Sequence, residues 1–150
     1  MKLRYLLLAI LVIAVACTKN GGGKPQIKLK SIGPNVVSRS DLFSIDLGFT
    51  NLTGNGNDTL IVIKHVLNLN QRGSINEFQA DSFAIPNFTS SNYAGDLQLT
   101  YARQLINGYA YLADPATAQN DTAVFNFVAK VFPNITSDTV KSGNIVILSQ

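Results

Sequence analysis

Within Leu42 to Thr50, apolar residues alternate with polar or small ones from Phe43 onward. Phe43, Ile45, Leu47 and Phe49 stand on one phase, and Ser44, Asp46, Gly48 and Thr50 on the other. A period of two with one apolar phase describes a half-buried strand; a helix repeats its face every 3.6 residues or so. A second run, Thr122 to Phe132, puts Ala123, Phe125, Phe127, Ala129 and Val131 on one face. No stretch sustains helical spacing, and the best rival, Ala102 to Ile106, is too short to matter. Charged residues make up 14% of the chain, against about a quarter in ordinary domains. Asn, Thr, Ser and Gly fill the surface instead, which suits short strands joined by turns. The chain is predicted to be all-β.

Softer alternation marks further strands at Gln26 to Ile32, Leu60 to Val66, Glu77 to Ile85, Asp96 to Tyr101, Tyr109 to Leu112 and Asn144 to Leu148. Asn51 to Asp58 is rich in Asn and Gly, which favour turns. The strands on either side of it are expected to form a hairpin with a long loop. Many short strands with Gly, Pro and Asn turns predict a β-sandwich, with a small antiparallel β-barrel as the alternative. A chain of 150 residues has the size of one domain and can bury a core without disulfides. Its single Cys could form none within the chain.

The first residues follow a different logic. Lys2 and Arg4 precede a continuous apolar run, Leu6 to Ile13, and small residues then lead to Cys17. This is the layout of a secretory signal, and the run is shorter than the roughly 20 residues a spanning helix needs. Ala14-Val15-Ala16-Cys17 resembles the lipobox of bacterial lipoproteins. That resemblance implies a signal peptide at 1–16, a lipidated Cys17, and a membrane partner reached through the acyl chains. Residues 17–25, with three glycines and a proline, are expected to be a flexible tether, and 26–150 the folded domain. Thr18, rather than Asp, after the Cys implies the outer membrane. The lack of acids in Thr18-Lys19-Asn20 favours its periplasmic face over the cell surface.

Three segments carry a broader resemblance: Pro25 to Pro34 leading into Asp41 to Asn51, then Gly54 to Leu60, and near the end Asp121 to Phe132 with Asn134 to Val140. The chain is similar to the small immunoglobulin-like lipoproteins of uncharacterised function common in Bacteroidota. The resemblance implies an immunoglobulin-like antiparallel β-sandwich. Similar domains often carry acids in the loop after the second strand, where this chain has Asn51, Asn55 and Asn57. Asp58 is the one local carboxylate, too little charge for a hard cation, so no metal site is expected.

Little else points to chemistry. His65 is the sole histidine, and histidine catalysis or metal binding normally needs partners. No Gly-x-Ser-x-Gly elbow occurs, and the acids are scattered through turns. Once Lys2 and Arg4 leave with the signal, the formal charge of +3 falls close to neutral. No concentrated basic face remains for nucleic acid. Lys19, Lys24, Lys28 and Lys30 read as a solvated tether, with weak headgroup attraction as the other reading. Thr59, Thr122 and Thr139 each follow Asp and precede an apolar residue. This is similar to the O-glycosylation motif of Bacteroidota secreted proteins; a turn Asp before a β-branched strand start explains it equally well. Tyr93, Tyr101, Tyr109 and Tyr111 are candidates for stacking on a sugar, against ordinary core packing. The expected function is a non-catalytic binding or scaffold module with no cofactor and an envelope protein or glycan as partner. The alternative is a carbohydrate-binding lipoprotein of a polysaccharide-uptake system, and a remote one is a small carboxylate-dependent hydrolase.

Overall fold

The computed structural model describes residues 23–54, 56–68, 78–88, 94–116 and 118–149. The expected signal peptide, Cys17, most of the tether, Asn55 and Tyr93 lie outside the described residues. Within them the chain forms strands and no helix: β1 (Gln26–Gly33), β2 (Val36–Val37), β3 (Leu42–Thr50), β4 (Thr59–Val66), β5 (Phe78–Ala84), β6 (Ala94–Ala102), β7 (Ala110–Tyr111), β8 (Asp121–Val131), β9 (Ile135–Thr136), β10 (Val140–Lys141) and β11 (Ile145–Ile147). One sheet runs β1-β3-β6-β7 and the other β2-β11-β8-β4-β5, with β9 and β10 also paired to β8. Two open sheets with this order, the chain crossing between them after β3 and again after β5 and β7, make an immunoglobulin-like β-sandwich. The barrel alternative is excluded, because neither sheet closes on itself.

Alternation fixed the faces but not the partners. β3 and β4 are not a hairpin: β3 pairs with β1 and β6, while β4 pairs with β5 and β8. The loop after β3 carries the chain from one sheet to the other. Nor is the pairing wholly antiparallel, since β2 lies parallel to β11 and β7 parallel to β6. β2 arises because the first strand divides, with β1 in one sheet and β2 at the edge of the other.

The core is built from the inward phases. Phe43, Ile45 and Leu47 of β3 meet Phe125 and Phe127 of β8, with Leu60, Val62, Ile145 and Ile147 completing it. The Phe43 and Phe125 rings stand 4.9 Å apart and span the two sheets where antibody domains use a disulfide. Among the described residues, the buried hydrophobic ones lie between Val37 and Ile147, so the sandwich has a core of its own.

Two irregularities shape the edges. A bulge between Leu29 and Ser31 shifts the phase of β1, so Ile32 rather than Ser31 packs on the core after Ile27 and Leu29. Ser31 turns outward and bonds Asp46. Along β8, the last strand is broken into β9, β10 and β11 by two serines. Ser137 donates its N–H to Ala129 O at 2.8 Å, and its Oγ accepts from Ala129 N at 2.9 Å. Ser142 does the same to Phe125, at 2.9 and 2.8 Å. Each hydroxyl stands in for a backbone carbonyl, so the ladder survives the extra residue.

Candidate functional site

Register fixes the two ends of the sandwich. Gln26 faces Thr50, and Thr50 faces Ala94, so the chain enters β1 at that end. Leu42 faces Ala102 at the opposite end, where residues 103–109 link β6 to β7. The tip of this link is apolar and open to solvent. Leu105 is 90% exposed, and Ile106, Tyr109, Tyr111 and Leu42 are also exposed.

What holds the tip is polar. Arg103 is 3% exposed. Its Nε donates to Asp114 Oδ1 at 2.9 Å, Nη2 approaches the same oxygen at 2.8 Å, and Nη1 donates to Val37 O at 3.3 Å. Gln79 grips the returning segment with both ends of its amide, donating to Tyr111 O at 2.7 Å and accepting from Ala113 N at 3.1 Å. Lys64 Nζ donates to Ala113 O at 3.2 Å. Beneath them the Tyr101 hydroxyl donates to Asp81 at 2.9 Å. Burial first, then the Asp81 charge, pushes the Tyr101 phenol far above its ordinary range. Beside the tip, Asp41 accepts from Ser38 Oγ at 2.6 Å and Ser38 N at 2.7 Å. These bonds hold its carboxyl below the ordinary value.

The candidate tyrosines therefore separate. Tyr101 belongs to the core, because it lies on the inward phase of β6 and contacts Phe43, Phe83 and Phe125; it offers no ring face to a ligand. Tyr109 and Tyr111 remain at the exposed tip. The three Asp-Thr pairs also lie apart. Thr59 is half-buried between Ala84 and Lys130, and Thr122 is half-buried beside Val146. Thr139 is exposed in the link between β9 and β10, next to Asp138, which pairs with Lys24.

Asp58 is a turn brace. It is buried, and its carboxylate accepts from Thr53 N at 2.6 Å, Thr53 Oγ1 at 2.8 Å and Gly54 N at 3.3 Å. Gly54 has φ of 65°, and a Cβ there would lie 2.8 Å from Phe88 O, so the turn requires glycine. With its oxygens committed to the loop, Asp58 has little left for a cation that wants six to eight oxygens. The melting temperature is expected to be the same in excess Ca²⁺ and in chelator; a Ca²⁺-dependent rise abolished by Asp58→Asn would overturn this.

Sequence reasoning missed Arg103, Asp114, Gln79 and Lys64. One signal was present: Lys64 falls on the inward phase of β4 with Leu60, Val62 and Val66. A cation on an apolar phase marks a buried polar brace.

No family model and no curated protein matches the chain. Solved structures with similar shape include the sporulation control protein Spo0M of Bacillus subtilis, at 9% identity and a TM-score of 0.41, covering 85% of this chain and 51% of that one. A Listeria innocua β-glucosidase in complex with gluconolactone matches at 9% identity and 0.41, covering 86% and 17%. The CARDB domain of a Pyrococcus furiosus protein in complex with di-metal ions matches at 14% and 0.31, covering 85% and 93%. The chain thus spans about half of the first and a small part of the second. The glucosidase activity and the metal ions belong to those proteins.

Proposed function

We propose that the chain is a lipid-anchored envelope lipoprotein whose immunoglobulin-like sandwich is a non-catalytic binding or scaffold module. The observation that carries this reading is the polarity of the sandwich: the chain enters at one end, and the apolar tip around Leu105 lies at the other. A tether on the near end leaves the tip facing away from the membrane, towards an envelope protein. The anchor itself rests on the apolar run and Cys17; two or three acyl chains hold firmly where one is marginal. The periplasmic face of the outer membrane is the compartment we infer.

The acids support a non-catalytic reading. Paired glycosidase carboxylates face each other across a cleft. Here Asp41, Asp46, Asp58, Asp81, Asp96, Asp114 and Asp138 each bond a local partner. Tyr109 and Tyr111 at the tip favour a glycan as the second reading, and their replacement by Ala should then abolish oligosaccharide binding. Of the Asp-Thr pairs, Thr139 is the one whose exposure suits glycan attachment.

Cys17→Ser is expected to abolish fatty-acid labelling and leave unprocessed precursor. Equal labelling of the variant would overturn the anchor. Cross-linking in intact envelopes, comparing the native chain with Leu105→Asp, tests the tip: the partner should be lost with the variant while the melting temperature is unchanged.

A further inference from the structure

The two outer faces of the sandwich have opposite chemistry. On the β1-β3-β6 sheet the outward phases are polar and laced across strands: Lys30 pairs with Asp96, and Asp46 accepts from Ser31 and Gln98. That is how a strand face reads when it meets water. On the other sheet the outward phases of β4 and β8 carry Ile61, Ile63, Val124 and Val128, continued by Val146 of β11 and Val36 of β2. Register makes them one surface: Ile61 faces Val128, Ile63 faces Asn126, and Val146 faces Val36. They are half-buried or exposed, and they stand outside the core cluster. Among the described residues, charge on this face is carried by Lys130 and Lys141, both exposed, with Lys141 on the edge strand β10 opposite Asn126. An uncharged aliphatic centre within a polar rim is the composition of an interface core.

We propose that this face of the β2-β11-β8-β4-β5 sheet packs against the same face of a second copy of the chain, giving a two-fold dimer. β4, β5 and β8 have 8, 7 and 11 residues, and the broken edge strand β9-β10-β11 has 2, 2 and 3. At about 3.3 Å per residue and about 4.8 Å between strands they offer a face on the order of 500 Å². Two such faces bury about 1,000 Å², at the threshold a biological interface should reach. A flat β-branched surface suits sheet-on-sheet packing, with strands crossing at about 30°. An isologous contact also needs no charge complement from elsewhere, only a surface that fits itself. Asn126 sits in this face, and its Oδ1 is buried without a hydrogen-bond partner. Near a two-fold axis, rotation of its amide would let it exchange bonds with the same residue of the second copy. The dimer is independent of the anchor: both tethers leave from the ends of the sandwiches, not from the packed faces.

Sedimentation of residues 23–150, which include every core residue among the described ones, tests the proposal. The native sandwich is expected to sediment at twice the chain mass at micromolar concentration. Ile63→Glu should halve that mass with its melting transition retained, and Asp46→Lys on the polar face should leave the dimer intact. In the full chain in cells, Val124→Cys should give a cross-linked dimer with a short bismaleimide, and Thr100→Cys on the polar sheet should not. A native sandwich that stays monomeric at every concentration, or an Ile63→Glu variant that folds and stays dimeric, would overturn the inference. Loss of fatty-acid labelling would leave it standing, so the dimer and the anchor fail separately.

Discussion

Phe125→Ala is expected to remove about 3–5 kcal/mol of folding stability, a large share of the roughly 5–15 kcal/mol that a domain has. Phe125 lies at the middle of β8, the strand that pairs with β4, β9, β10 and β11. Its ring contacts Phe43 at 4.9 Å and Tyr101 at 6.4 Å, joining the two sheets. Truncation removes the transfer free energy of the ring and leaves a cavity whose walls are themselves β-sheets and cannot easily collapse. Asn126→Ala, one residue on, should cost the fold of a single chain little, since Asn126 Oδ1 accepts no hydrogen bond among the described residues and an orphaned acceptor is unfavourable to keep; measurement at concentrations where the chain is monomeric separates this from any contact between copies. Urea denaturation of both variants checks this. Similar losses at the two positions would mean that the register of β8 is wrong.

The contrast at Phe125 and Asn126 was legible in the sequence because a single face of β8 is buried, and period two then records which residues point inward. The observed bounds of β3 match the alternation from Leu42 to Thr50, and β8 differs by a residue at each end. Neighbours were not legible, since alternation is the same whichever strand lies alongside; hence the hairpin expected of β3 and β4. β2, β9 and β10 have two residues each, too few to show a period. The last two depend on Ser137 and Ser142 standing in for carbonyls, a role no sequence pattern of Ser announces. Much of the candidate site escaped for a related reason. Tyr109 and Tyr111 could be named as candidates, but the braces beneath them come from β4, β5 and the links around β7, and only the fold brings them together. Exposure likewise distinguishes Thr139 from Thr59 and Thr122, which share its motif.

Asp114→Ala is expected to destabilise the domain by about 3 kcal/mol, the low end for a buried charge left without its partner. The Arg103 side chain is 1% exposed and Asp114 is 45% exposed, so water replaces part of the lost carboxylate but cannot reach most of the guanidinium. Arg103 would keep the 3.3 Å bond to Val37 O, and the segment holding Tyr111 and Leu112 would lose the anchor on its far side. Hydrogen exchange at Leu112 N, which donates to Ala102 O at 2.9 Å, should accelerate more than exchange at core amides of β8. Replacing both members, Arg103→Met with Asp114→Leu, should cost less than Asp114→Ala alone, because the desolvation penalty leaves with the charges. A double variant less stable than the single, or an Asp114→Ala chain that melts like the native one, would show that the pair does not hold the tip. Where the pair does hold the tip, a partner that binds around Leu105 meets a loop with no fixed shape once Asp114 is gone, so Asp114→Ala should also weaken binding at the tip before it unfolds the sandwich.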